Sequence, residues 1–269
     1  PPINRLASDT STTINDDGVI NGSSSNNPYL RPFYADQYDI SYEHYFTETE
    51  GAFVAALFYK DINSFISTFT ISEFDFAAAG FAVPEFIIDP DSGVPVTVTN
   101  GDYTTAVNNA EGGYIRGAEV AFTQIFKFLP GIWQGLGVSG SYSYTESEIK
   151  QQTNLGGSTI DISLPGLSEN VFTGTVFWEY EGFEARVSAR YRDPFVSEQV
   201  AVNEQIVNFD GETVVDMQTS YQVNDQWSVL FQVNNVTDEP TKSYFGDETQ
   251  TGTIQFFGRQ YFLGVTYSM

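Results

Sequence analysis

The sequence predicts an all-β chain: an antiparallel, up-and-down transmembrane β-barrel wall of about nine strands. Three observations carry that class. Segment after segment alternates apolar and polar residues with period two. The connections alternate between short and long. The three tryptophans all sit at or beside short connections.

Strands are expected at 36–46 (DQYDISYEHYF), 51–62 (GAFVAALFYKDI) and 114–126 (YIRGAEVAFTQIF). At 135–145, Leu136, Val138, Tyr142 and Tyr144 oppose Gly137, Ser139, Ser141 and Ser143. At 172–180, Phe172, Val176, Trp178 and Tyr180 oppose Thr173, Thr175 and Glu179. At 183–192, Phe183, Ala185, Val187, Ala189 and Tyr191 oppose Glu184, Arg186, Ser188, Arg190 and Arg192. The segments 213–223 and 226–235 repeat the pattern, with Asp216 on the polar side of the first and Trp227 on the apolar side of the second. In the last strand, Tyr261, Leu263, Val265, Tyr267 and Met269 alternate with Gln260, Phe262, Gly264, Thr266 and Ser268. No segment shows helical periodicity.

Short connections fall near 47–51, 129–134, 180–182 and 223–225; long ones near 66–112, 148–168, 195–211 and 239–252. Short turns on one rim and long loops on the other describe a meander, with the short turns periplasmic. Residues 1–35 then form an extracellular loop, or in part the tip of a preceding strand, and 36–269 the strands. A soluble β-sandwich also alternates. It gives no reason to gather Trp133, Trp178 and Trp227 at one end, where they fit a periplasmic-side aromatic girdle. His44 falls near that rim on the lipid side.

Composition narrows function. Aromatics make up 16% and charged residues 17%, yet 35 acids against 11 bases leave a net charge of -24. Such a chain repels nucleic acid. With no Cys and one His, disulfides, thiolate metal sites and His-based catalysis have no basis. No enzyme, metal or cofactor is expected. The start Pro-Pro, without Met, reads as a piece of a longer chain.

Several motifs carry a resemblance. NPYLRPFYADQYDISYEHYF (27–46), GAFVAALFYKDINSFI (51–66), GGYIRGAEVAF (112–122), NNVTDEP (234–240) and the terminal GRQYFLGVTYSM resemble, in order and spacing, the C-terminal part of TonB-dependent outer-membrane receptors. Their style is similar to receptors of Xanthomonas- and Caulobacter-like bacteria, many of which import oligosaccharides. The resemblance implies a barrel of about 22 strands closed by a plug domain, in a Gram-negative outer membrane. It also implies coupling to the TonB complex through a TonB box, and import of a scarce solute. The tail resembles the signal read by the barrel-assembly machinery, with Met269 where Phe is usual and Phe262 where a polar residue is common.

The lumen face is expected to carry Asp39, Glu43, Lys60, Glu119, Glu179, Glu184, Arg186, Arg190, Arg192 and Asp216. By the resemblance these face the plug; as charges in a hydrated lumen they also pair across strands. Arg186, Arg190 and Arg192 on one strand face repel one another unless carboxylates answer them. The outer loop at 66–112 holds no Lys or Arg between Ser67 and Glu111. Its Phe74, Phe76, Phe81, Phe86, Asp89, Asp91 and Tyr103 are candidate ligand contacts: aromatic faces and acceptor groups suit sugar rings or a cation. A glycan is therefore favoured over an anionic metal–siderophore. DPDSG (89–93) lacks the ligand spacing of a calcium loop. Outer-membrane lipid and lipopolysaccharide are the expected surroundings. A plugless channel or adhesin barrel and a soluble sandwich are the rival readings.

Overall fold

The fold was obtained as a computed structural model, which describes residues 6, 9–24, 26–32, 34–47, 49–109, 112–152, 159–200 and 206–268. Twenty strands run through them: β1 (Ser11–Ile14), β2 (Val19–Ser24), β3 (Ala35–Phe46), β4 (Gly51–Ile62), β5 (Phe65–Ile71), β6 (Phe86–Ile88) and β7 (Pro95–Thr97) come first. Then follow β8 (Thr99–Asn109), β9 (Gly113–Ile125), β10 (Leu136–Gln152), β11 (Thr159–Ile162), β12 (Asn170–Tyr180), β13 (Phe183–Arg192) and β14 (Phe195–Val200). The last are β15 (Ile206–Phe209), β16 (Glu212–Gln222), β17 (Trp227–Asn234), β18 (Thr241–Phe245), β19 (Asp247–Gln255) and β20 (Gln260–Tyr267). The expected Met269 lies outside the described residues.

Nine of these strands form one meander in the order β20-β17-β16-β13-β12-β10-β9-β4-β3, with β11 added at the end of β10. They are the nine segments the alternation predicts. The sheet is open, with β3 and β20 as its edges. The short turns have defined chemistry. Glu181 and Gly182, at φ 48 and 81, form the two-residue link of β12 to β13, which needs left-handed backbone at both positions. In the β16–β17 turn, the Asn224 side-chain oxygen accepts from the amides of Gln226 and Trp227, both at 3.0 Å. Residues 131–135 form a 3-10 turn before β10.

The chain divides into two compact units, each described by itself. The larger comprises Gln37–Tyr59, Ile115–Ser147 and Ser163–Met269 and contains most of the meander. Its long connections add a second sheet, β14-β15-β18-β19. Here Phe195 stacks on Phe209 at 5.1 Å, and the Arg192 guanidinium lies 4.7 Å from the Phe195 ring centre.

The smaller unit comprises Pro1–Asp36, Lys60–Tyr114 and Glu148–Ile162. Its sheet runs β1-β2-β8-β5, with β2 parallel to β8 and the other pairs antiparallel. A β6–β7 hairpin forms within the β5–β8 connection. Two stretches expected as loop, within 1–35 and 66–112, thus carry paired strands. Their β-branched and aromatic runs, such as VING and FISTFTI, support pairing once a neighbouring strand is present. The unit's core holds Ile20, Phe69, Phe76 and Ala106.

Close strand approach makes Gly135 a sensitive position: a Cβ there would lie 1.5 Å from the Glu179 carbonyl oxygen. Gly135→Ala should force the β10–β12 ladder apart at its short-turn end and destabilise by about 3 kcal/mol. Urea unfolding in lipid bilayers, compared with wild type, checks it.

Candidate functional site

Register assembles the polar side chains into rows across the sheet, because residues directly opposite share a face. Glu179 faces Glu184, which faces Ser220. One step along, Gly137, Phe177, Arg186, Gln218, Gln232 and Phe262 align on five consecutive pairings. The next row is Ser139, Thr175, Ser188 and Asp216, and on β17 and β20 Asn234 faces Gln260. A shallow cleft of about 380 Å³ on this face is lined by Ala52, Val54, Ala121, Thr123, Ser139 and Thr175, among others. By alternation that places Lys60 on the same side of β4 as Ala52 and Val54, and Glu119 with Ala121.

The arginine cluster is answered unequally. Arg190 donates to Asp216 at 3.3 Å, and Arg192 meets Glu212 at 3.0 Å. Among the described residues Arg186 has no ion-pair or hydrogen-bond partner. Exposed pairs of this kind contribute about 0–1 kcal/mol each, so they order the face more than they hold the sheet. Glu179 and Glu184 oppose each other with like charge; Ser220 donates to Glu184 at 3.2 Å. On β3, Asp39 accepts from Gln37 at 2.7 Å and Glu43 from Tyr45 at 2.6 Å.

Glu212 and the structural role of Asp216 escape sequence reasoning. Glu212 sits one residue before the expected strand start, so its register with Arg192 is invisible from the pattern. The second oxygen of Asp216 accepts the Asn235 amide at 2.9 Å. Asn235 in turn bonds Glu239 in both directions, at 2.8 and 3.0 Å, with left-handed backbone at Asn235 and Asp238. Arg259 then donates to the Val236 carbonyl at 2.7 Å. The NNVTDEP motif is therefore a clamp that turns β17 out of the sheet and holds the start of β20.

The opposite face is apolar. Val120, Val138, Phe172, Val176 and Val187 line a groove of about 550 Å³ there. Trp227 packs on Tyr267 at 4.8 Å. Trp178 stacks with Tyr180, and its indole N–H donates to the Ile132 carbonyl at 2.7 Å, beside Trp133 in the 3-10 turn. All three tryptophans stand at the short-turn end. His44 meets Phe46 edge-on at 4.8 Å, and Phe46 contacts Phe122.

In the smaller unit the candidate aromatics separate. Phe74 stacks on Tyr103 at 4.6 Å, and Phe76 contacts Phe74, Phe81 and Tyr103. Phe76 is wholly buried. Its ring fills the space above Gly22, where a Cβ would lie 2.6 Å away. That corrects the expectation for Phe76: it is core, withheld from any solute, because the loop needs its own apolar centre to fold. Phe86 stays exposed on the β6–β7 hairpin with Ile88 and Val94. Asp89 closes that hairpin, accepting from the Ser92 hydroxyl at 2.7 Å and the Asp91 amide at 2.8 Å. The Ser92 hydroxyl bond, then the two amide bonds, hold the Asp89 carboxyl below the usual aspartate range. Asp91 is exposed. Among the described residues no group of three or more acids or histidines is placed to hold a metal.

The family model described as TonB dependent receptor-like, beta-barrel matches residues 1–236. The chain belongs to this family. Barrels of the family are outer-membrane proteins of Gram-negative bacteria. The receptor chain superposes on the ferric-catecholate import receptor Fiu of E. coli K12 with TM-score 0.55 and 19% identity, over 91% of this chain and 29% of that one. For the ferric enterobactin receptor PfeA of Pseudomonas aeruginosa the values are 0.61, 11%, 100% and 36%. For the FrpB iron transporter of Neisseria meningitidis they are 0.54, 17%, 91% and 32%. This receptor chain therefore spans about a third of the length of the solved receptors it matches. Identity this low is a likeness of fold. No match was found among curated proteins.

The smaller unit can be tested at two positions. Phe76→Ala should cost about 3–5 kcal/mol of local stability, so limited proteolysis should cut within 66–109 while the wall strands stay protected. Because the Asp89 carboxyl is depressed, the turn's contribution is present above the unfolded aspartate pKa and fades as pH falls through the lower folded one. Ser92→Ala should raise the Asp89 pKa toward the ordinary aspartate range, read by carboxyl-carbon NMR titration.

Proposed function

We propose that this chain forms part of the wall of an outer-membrane, TonB-dependent transporter that brings a scarce solute into the periplasm. One observation carries the reading: a nine-strand meander with one apolar and one polar face, in a chain of the receptor-barrel family. The apolar face meets lipid, with Trp133, Trp178 and Trp227 at the periplasmic interface and lipopolysaccharide at the outer one. The polar face, with Asp39, Glu43, Lys60, Glu119, Glu179, Glu184, Arg186, Arg190, Arg192 and Asp216, turns toward the lumen and the plug. Residues 1–35 belong to the extracellular side. A plug domain and the TonB complex supply gating and energy, and the barrel-assembly machinery inserts the protein through β20.

The favoured cargo is an oligosaccharide. The outer hairpin offers Phe86 with Asp89 and Asp91, and the 68–110 stretch holds no cation to attract an anionic chelate. The ferric cargo of the solved neighbours belongs to those proteins; the shared property is the wall.

Uptake assays in a deletion strain of the source bacterium, across oligosaccharides and ferric chelates, test the cargo. Loss of growth on one class of oligosaccharide is expected. Impairment confined to iron-limited medium overturns the glycan reading. The full-length receptor should be nearly silent in planar bilayers, and steady conductance would favour a plugless channel instead.

A further inference from the structure

Four neighbouring strands of the meander stop at one level and begin again beyond it. The second sheet repeats the order of β13, β16, β17 and β20 with the segments that continue them: β14 after β13, β15 before β16, β18 after β17 and β19 before β20. The ladder does not carry across. Arg192 opposite Glu212 is the last pair on the wall side, and Phe195 opposite Phe209 is the first in the second sheet. Of the four residues between, none donates its amide to the strand opposite. Asp193 donates to the Asn170 carbonyl at 2.9 Å, and Pro194 has no N–H. Asp210 donates to the Lys242 carbonyl at 3.0 Å, and Gly211 to the Asp210 side chain at 2.9 Å. On β17 and β20 the same interruption lies between the pairs Asn234–Gln260 and Thr241–Gln255, where the clamp takes the chain out of the ladder.

The wall side of this break is tied off by its own groups. The Asp193 carboxylate accepts the Asn170 amide at 3.0 Å, and Asp216 accepts the Asn235 amide at 2.9 Å. Side chains span the gap instead of the ladder, and Arg192 makes the central contact. Its guanidinium meets Glu212 at 3.0 Å on the wall side. On the far side it lies 4.7 Å from the centre of the Phe195 ring, which stacks on Phe209. The second oxygen of Glu212 accepts from the Thr241 hydroxyl at 3.4 Å, at the start of β18. One further tether, the Gly166 amide to the Val196 carbonyl at 2.7 Å, holds β14 from its other side. All of these contacts are made within the larger unit.

We propose that β14-β15-β18-β19 is a flap that pivots as one body on this break, latched in the position described by Arg192 with Glu212, Thr241 and Phe195. A sheet bends most readily where its ladder is interrupted across several adjacent strands, since no pairing is lost there when it does. The latch is short-range and partly electrostatic, so salt weakens it. Its planar guanidinium serves two contacts at once, the carboxylate at its edge and the ring at its face, which lysine does not reproduce. The proposal concerns the larger unit alone and does not depend on the nature of the cargo.

The test uses the full-length receptor in lipid bilayers, with spin labels at Asp225→Cys in a short turn of the wall and Glu248→Cys on β19, other cysteines being replaced. Pulsed electron resonance gives the distance between them. One narrow distance is expected for the otherwise unchanged receptor, and a broadened or shifted one for Arg192→Met and for Phe195→Ala. Amide exchange in 206–209 and 241–245 should quicken about tenfold in Arg192→Met, with 183–191 and 213–222 unchanged. Arg192→Lys, which keeps the ion pair and loses the stacking, should give an intermediate rate and serves if Arg192→Met fails to fold. Raising salt from about 0.1 to about 1 M should quicken the flap in the unchanged receptor and leave Arg192→Met unaffected. An unaltered narrow distance in the Arg192 and Phe195 variants overturns the latch. Equal quickening of the wall strands overturns the flap as a separate body. Either failure leaves the reading of the wall as part of a transporter standing.

Discussion

The structure depends on one constraint: inside a membrane each backbone N–H and C=O must find its partner within the protein. Within the meander that partner is the neighbouring strand. The ladder from β3 to β20 is built by sequential antiparallel pairing, and every short turn serves that pairing. Glu181–Gly182 reverses the chain in two residues, and Asn224 caps a turn that leaves no room for stray amides. Gly135 admits the Glu179 carbonyl where a side chain would exclude it. Once the ladder exists, period-two alternation sends one set of side chains to each face, one set apolar and the other more polar.

Register then does what alternation cannot. It decides that Asp216 answers Arg190, that Glu212 answers Arg192, and that Arg186 has no ion-pair partner among the described residues. The acidic balance of the chain, -24 overall, does not predict which cation stays open. Asp216 shows how a charge takes on structural work: one oxygen neutralises Arg190 while the other holds the Asn235 amide at the exit of β17. A motif that resembles a family signature in sequence thus has a local physical purpose. It ends a strand sharply and ties the start of the next one through Arg259.

The long connections obey a different rule. Along their length they lie outside the meander ladder, so the smaller unit builds its own sheet and its own apolar centre around Phe76. This divides residues of identical type. Phe76 is structural, Phe74 and Tyr103 stack beside it, and Phe86 remains on the surface of the hairpin that Asp89 closes. The residues left exposed are those the core did not need.

By itself the sequence determined the nine wall strands, their two faces, the short-turn rim with its tryptophans and the family resemblance. All of these follow from local period, turn chemistry and ordered motifs, which a linear reading contains. Only the tertiary structure decided the eleven further strands among the described residues, the burial of Phe76 and the partners of Arg190 and Arg192. Those depend on which distant residues lie opposite one another. The parallel pairing of β2 with β8 joins segments about eighty positions apart, and Phe76 is core because Gly22 leaves space for its ring. The row from Phe177 to Phe262 exists only once five strands are in register, since a slip of one residue on any of them would send its side chain to the apolar face.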